Sequence, residues 1–565
     1  MSRSHILDRN SKELIDHYFD VKPYLYSAGK YYPTFDKYQK KLVRLDCCPE
    51  GINTIDIEKI FNDKILKLEY LSSIKAGDNI LVKINGRKQI YTITNNDLDK
   101  MLEVLHELRD IHNYIDITSA LPFHQNPPDY VIRNAKKSLD QHIIGKYPNY
   151  EKLKKACARF WREHGAVHCK EDNIWIDTST FDILRKIFRS DFVPRGSTIL
   201  IPTPTFGHYL DILKPSKKYP HMADYDRDYK LFCYPVEKNG KLNISKLEVD
   251  LLDRKRNNLP IPKVMLFMNP CNPTGLTYND DELRQIAQLC HKYKIFMVSD
   301  EIFLDTVDPA TQSMSVAAYM NKDQYIAISG VGKSYGSPGA RVSFVCGYEP
   351  NLNKIFMPYL FLSGTVSSFS AKMAEDILSP NGKDAHEKVE YLMKAYQSFQ
   401  NNVNLVSAKV EEINRLLNEK HGSVDHEYLI LNIPDSTTVV SINFSDELKR
   451  IGFLGNKVKT SLDVANILCN EAKVATVPGE AFLISRDELM VRMNIADDVK
   501  LEQAFDNIIN AVKRSKILDG ISTKDPIKMG IETKSDSKEY YRKLLDKDNS
   551  SSKLSADEIN FIKGR

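Results

Sequence analysis

From Ile115 onward the chain alternates short, almost continuous apolar runs with longer stretches of helical periodicity. The runs are Asn173–Ile176, Thr198–Ile201, Lys263–Met268, Ile295–Ser299, Tyr325–Ser329 and Val342–Cys346. A strand that is apolar on both sides must be covered on both faces, and strands spaced by helix-length connections pair in parallel. This predicts an α/β fold, a three-layer structure around a mostly parallel sheet. Sheets of that kind take their ligands just beyond the carboxyl ends of the strands. Residues at those ends are the first candidates for chemistry.

After Ala371 a helical region leads into a second, smaller α/β section. Its marks are the strand-like Thr438–Asn443, a helix around Leu462–Glu471 and the turn Val477-Pro-Gly479. Before Ile115 the clearest pattern is Asn79–Thr94, two alternating apolar runs around Asn85-Gly86, which accepts the positive φ angles of a tight hairpin turn. Asn96–Asp110 follows, with Leu98, Met101, Leu102, Leu105 and Leu108 on one helical face. Residues 516–565 are polar and poor in apolar positions, which predicts a loosely ordered tail. The expected organisation is an N-terminal extension of unassigned role (1–114), a segment packing with the small domain (115–150), a large domain (151–370), a small C-terminal domain (371–515) and the tail.

Composition changes the picture mainly by exclusion. With 565 residues, 42% hydrophobic and 27% charged, the chain can bury a sizeable core. A net charge of +4 over that length argues against nucleic acid or a membrane as the primary partner. Nine cysteines without a Cys-x-x-Cys pair or a Cys/His metal spacing read as free thiols of a reducing compartment, with no metal expected. The N-terminus has no apolar signal-peptide core and no long apolar run follows, so a cytoplasmic location is expected.

The candidate chemistry sits at strand ends. Lys333 and Arg341 share the glycine-rich turn Ile328-Ser-Gly-Val-Gly-Lys-Ser-Tyr-Gly-Ser-Pro-Gly-Ala-Arg341. A lysine there can condense with an aldehyde, and the arginine can clasp a phosphate with its planar fork. Together they describe a seat for pyridoxal 5′-phosphate. Met268-Asn-Pro-Cys-Asn-Pro-Thr-Gly275 is a stiff turn able to aim Asn272 at a ligand. Val298-Ser-Asp-Glu-Ile-Phe303 puts Asp300 where a protonated pyridine nitrogen would satisfy it, or where it would cap a helix. Pro204-Thr-Phe-Gly-His-Tyr209 offers Phe206 for stacking, or for the core. Arg492, inside the apolar Leu489–Asn494, needs a partner, either a substrate carboxylate or an internal acid.

Taken in order, these segments strongly resemble the class I/II aminotransferases of the fold-type I pyridoxal-phosphate enzymes, from about Ile115 to Ser515. Tyr147-Pro-Asn-Tyr150 resembles the family's Tyr-Pro-x-x-Gly step, and Thr178–Leu184 its Gly-Ser-x-x-Ala-Leu turn. The resemblance implies that Lys333 forms the Schiff base and shuttles a proton, that Asp300 pairs the pyridine nitrogen, and that Asn272 bonds the ring 3′-oxygen. Phe206 would stack on the ring, while Ser179 and Thr180 at a helix N-terminus join Arg341 on the phosphate. Tyr147 would reach the phosphate in the neighbouring subunit, so a homodimer with shared active sites is implied. Arg492, beside Asn272, would hold the substrate α-carboxylate. The implied reaction moves an amino group between an amino acid and a 2-oxo acid, with Lys333 as general base and acid.

Three positions depart from the family pattern: Phe303 where Tyr is common, Gly330 where a phosphate-binding Ser is usual, and Ser179 where Gly is usual. Because the carbanion step is shared, aspartate 4-decarboxylation and β-elimination are alternatives. A regulator with residues 1–114 as a DNA-binding module is another. That segment lacks a helix-turn-helix pattern, and its hairpin carries only Lys83, Arg87 and Lys88 as basic residues. The substrate side chain is not specified by any residue.

Overall fold

The computed structural model describes residues 3–21, 42–44, 54–56, 79–84, 87–93, 115–120, 122–123, 126–140, 149–214, 227–306, 314–360 and 366–517. At its centre lies a seven-stranded sheet with the spatial order Ile174–Asp177, Ser343–Gly347, Tyr325–Gly330, Phe296–Asp300, Val264–Met268, Thr198–Thr203 and Lys230–Pro235. Neighbours run parallel except Ser343–Gly347, which is antiparallel to both of its partners. The α/β expectation holds. Successive side chains alternate between two cores: Val264, Leu266 and Met268 face one, Met265 and Phe267 the other. Both faces are therefore dry, which is why the strands read as unbroken apolar runs.

Lys230–Pro235 is the one strand of this sheet that the sequence pattern does not predict. It is an edge strand whose exposed ends, Lys230 and Pro235, leave only four buried positions between polar stretches.

The helices are bounded by local chemistry. Asn279 accepts from the Glu282 amide while Glu282 reaches back to the Asn279 amide, a reciprocal cap that starts Asp280–Tyr293. A second, antiparallel sheet is built from Leu429–Leu431, Val439–Phe444, Leu489–Asn494 and Val477–Pro478. The helices Lys383–His421, Ser461–Ala472 and Asp498–Arg514 pack around it in a separate core. Ile115–Asp116 pairs with Val474–Ala475, and Ile117 joins that second core.

Upstream, Asn79–Ile84 and Arg87–Ile93 form the expected antiparallel pair, Ile84 opposite Arg87, within a four-stranded sheet. The helix Arg3–Val21, which the sequence pattern does not predict either, packs on the edge strand Lys230–Pro235 and on the helix Ile244–Arg256. The expected helix Asn96–Asp110, Tyr147 and the tail beyond 517 lie outside the described residues. Among the described residues no helix is long and apolar enough to cross a membrane.

Candidate active site

The carboxyl ends of the central strands open into a cavity of about 420 Å³. Lys333, Asp300, Asn272, Phe206, Ser179, Thr180, Arg341 and Arg492 all line it. These residues come from strands and turns as much as 313 positions apart, from Ser179 to Arg492. Only the fold brings them together.

Lys333 lies in the turn after Tyr325–Gly330, with Nζ donating to the Ala120 carbonyl at 2.5 Å and lying 5.9 Å from the Phe303 ring centre. Burial, and then the Arg492 guanidinium, bring its ammonium down to about 8, with Asp300 opposing them. An amine so placed is available as a nucleophile or base near neutrality.

Asp300 ends the strand Phe296–Asp300; no helix begins there, so the helix-capping reading is set aside. Tyr209 Oη donates to its Oδ2 at 2.8 Å, and the Ile302 amide to its Oδ1 at 3.3 Å. Burial outweighs these bonds and pushes the carboxyl up to about 6. A cation beside it would recover that cost. Its neighbour Glu301 is buried too and pushed up to about 7 by burial, accepting from Ser299 and from the Val316 amide.

Arg492 projects from Leu489–Asn494 into the same cavity. Nη1 donates to Asn272 Oδ1 at 3.2 Å and Nη2 to the Thr118 carbonyl, while Nε has no hydrogen-bond partner. Its guanidinium lies 4.9 Å from the Phe482 ring, and burial lowers it to about 9. No carboxylate among the described residues pairs with it, which removes the internal-acid reading. Asn272 is held where the sequence places it. The turn is fixed by Gly275, whose φ of +73° and lack of Cβ allow it to pass within reach of Pro434 and the Ser436 carbonyl. The Ser441 hydroxyl also donates to the Pro273 carbonyl.

At the other end, Ser179 starts the helix Thr180–Arg189, and its hydroxyl accepts from the Asp182 amide at 3.1 Å. Accepting that amide caps the helix and leaves the Ser179 O–H available as a donor toward the cavity it lines. Thr180 Oγ1 lies 3.5 Å from Ser343 Oγ, and Arg341, with φ of +53°, lies on the same rim. Phe206 packs edge-on against Tyr209, His208 and Phe181. Tyr147 falls outside the described residues.

Sequence reasoning missed Tyr209, Ser343, His208 and the carbonyls of Thr118 and Ala120. The Pro204–Tyr209 segment was singled out, and Tyr209 three positions after Phe206 in a short helix is the signal that could have found it.

The family described as aminotransferase class I and II matches residues 118–508. The aspartate aminotransferase of Bacillus subtilis is 23% identical over 395 residues, covering 69% of this chain and 89% of that protein. A probable N-acetyl-LL-diaminopimelate aminotransferase of the same organism is 27% identical over 262 residues, 46% of this chain and 61% of its own length. Among solved structures, the aspartate aminotransferase of Rhizobium meliloti superposes with a TM-score of 0.59 at 20% identity, covering 74% of this chain and 96% of the other. The Thermus thermophilus aspartate aminotransferase with maleate gives 0.56 at 17% identity, covering 73% and 94%.

Proposed function

Because the chain belongs to the class I and II aminotransferases, which use pyridoxal phosphate, we propose that Lys333, Asp300 and Arg492 are the working residues of its amino-group transfer between an amino acid and a 2-oxo acid. One observation carries the reading: a buried arginine without a carboxylate shares a cavity with a buried lysine of lowered basicity. The cavity volume suits a small cofactor with its substrate. The orphaned Arg492 Nε and the buried Asp300, which burial holds at about 6 in spite of the Lys333 charge, are the groups such an occupant would satisfy.

When bound, pyridoxal phosphate supplies the electron sink that makes a Cα–H bond acidic. Asp300, braced by Tyr209, would hold the ring nitrogen, Asn272 the 3′-oxygen, and Phe206 one ring face. Ser179, Thr180, Ser343 and Arg341 would hold the phosphate, Ser179 also capping the helix that begins there. Arg492 takes the substrate α-carboxylate in its fork. That pairing also offsets the guanidinium charge that depresses Lys333, so the lysine gains basicity when substrate arrives. Lys333 Nζ would then accept the proton from the substrate carbon and deliver it, on the same side, to the carbon that takes over the amino group.

The central sheet region, 151–370, serves as the cofactor domain and 371–515 as the small domain, with 115–150 tied to the latter. Two copies with shared sites suit the cavity rim, where Phe181 keeps 38% of its surface exposed; Tyr147 would serve the neighbouring site. The cytoplasm suits the free thiols, among them the buried Cys157, Cys233 and Cys290.

The test is an amino-acid donor panel, including aspartate, with the loaded enzyme. Release of at most one equivalent of 2-oxo acid per site without an acceptor, and continuous release once a 2-oxo acid acceptor is added, are expected. Release of carbon dioxide or ammonia without an acceptor would overturn the reading. Sedimentation of the loaded protein should give twice the chain mass.

A further inference from the structure

We propose that Tyr18, on a helix outside the family match, is a positioning residue of the active site, acting through Asp211 and His208 on the wall that carries Phe206. The proposal rests on the cofactor-site assignment above.

The helix Arg3–Val21 is anchored at two points away from the cavity. Asp8 pairs with Arg254 at 2.5 Å, and Arg254, itself 1% exposed, lies 4.3 Å from the Phe232 ring. Ser11 Oγ accepts from the Cys233 amide at 2.8 Å. These contacts fix the helix along the sheet edge.

Its third contact points at the site. Tyr18 is 0% exposed, and its ring lies against Gly207. A Cβ at 207 would fall 2.5 Å from Tyr18 Cε2 and 2.0 Å from the Ala481 carbonyl oxygen, so only glycine fits between the helix and the Gly479–Phe482 turn. The Thr205 amide donates to the Phe482 carbonyl at 3.0 Å, which closes the clamp from the other side. The segment bearing Phe206 is thus gripped on both flanks.

Tyr18 Oη donates to Asp211 Oδ2 at 3.2 Å, and His208 Nδ1 lies 2.8 Å from that same oxygen. One carboxylate oxygen therefore gathers two donors, one from the N-terminal helix and one from the cavity wall. His208 lines the cavity with its ring edge-on to Phe206 at 5.1 Å and to Phe181 at 5.9 Å. Without the Tyr18 hydroxyl, Asp211 is held by fewer donors, the imidazole is less fixed, and the aromatic wall loses its register.

The experiment compares full-length wild type with Tyr18→Phe, which keeps the ring, Asp211→Asn, and Ser11→Ala as a docking control. Cofactor affinity is read by titrating cofactor-free protein, with the melting temperature of that protein measured alongside. Tyr18→Phe and Asp211→Asn should each loosen pyridoxal phosphate roughly 3- to 10-fold, as loss of one useful hydrogen bond does, and the double variant little more. Ser11→Ala should lower the melting temperature without changing affinity. Unchanged affinity in Tyr18→Phe, or equal loosening by Ser11→Ala, overturns the proposal. Should Tyr18→Phe fail to fold, the affinity of Asp211→Asn decides in its place: loosening supports the proposal and no change overturns it. Wild type that takes up no cofactor overturns the site assignment itself, a failure distinct from a wild-type-like Tyr18→Phe.

Discussion

Gly330 and Ser343 face each other across an antiparallel strand pair, and Ser343 Oγ fills the space that any side chain at 330 would need. A Cβ on residue 330 would lie 2.8 Å from that oxygen and 2.9 Å from the Val342 carbonyl oxygen. A hydroxyl beside Thr180 thus comes from the opposite strand. Ser343→Ala should weaken pyridoxal phosphate binding by about 1 kcal/mol, roughly fivefold. Gly330→Ser should do worse, since backbone cannot step aside. Equilibrium binding to cofactor-free protein checks both, and an unaltered Ser343→Ala would take Ser343 out of the phosphate site.

The cofactor-free protein should lose stability as pH rises. Burial holds Asp300 at about 6 and Glu301 at about 7, above unfolded values of about 3.9 and 4.3. Between roughly pH 4 and 7 the folded state therefore binds more protons, so each step upward costs stability, with the full cost reached above that window. Asp300→Asn should be inactive yet more stable without cofactor at pH 8, by about 1–3 kcal/mol. Urea melts at pH 5 and 8 decide this; no gain at pH 8 contradicts it.

Arg492 and Lys333 are electrostatically coupled, and the coupling has a sign. Burial and Arg492 bring Lys333 down to about 8, so the rate at which the cofactor-free enzyme captures pyridoxal phosphate should rise through that pH. In Arg492→Gln the inflection should move higher, because a repelling charge has gone. Stopped-flow absorbance measures both curves. The same variant should lose about 100-fold or more in kcat/KM with amino acids. Amines lacking the α-carboxylate should be affected far less.

Lys186, only 4% exposed, bridges Asp177 at 2.6 Å and Asp182 at 2.8 Å under the Thr178–Thr180 turn. Burial raises Asp177, while Lys186 and Arg185 overcome burial at Asp182 and take it to about 2. Lys186→Met should cost about 3–5 kcal/mol by stranding buried charge. Adding Asp177→Asn should return part of that. Thermal melts of the three proteins suffice.

Asp300 and Asn272 were legible in the sequence because turn residues interrupt apolar runs where those runs end. Arg492 was legible because a charge inside an apolar strand demands a partner. Tyr209 was not: its hydroxyl answers to a carboxylate 91 positions away, and alone it reads as core. Ser343 lies inside the predicted strand Val342–Cys346, but which face it shows depends on a register that only pairing fixes. The N-terminal helix escaped because its stripe of Leu7, Leu14, Ile15 and Tyr18 is broken by Ser11, whose hydroxyl serves the sheet edge. The α/β alternation was readable because its connections are local. The site's polar wiring was not, because it crosses elements.

The helix lying along Lys230–Pro235 also has a meaning for solubility. An outermost strand presents unpaired amides that invite another chain to add to the sheet. Here the Cys233 amide is already occupied by Ser11 Oγ, and the helix lies over the strand. Removing residues 1–21 would uncover a ready template for strand addition. The shortened protein should therefore self-associate in a concentration-dependent way, visible as growing light scattering even where the catalytic residues are intact.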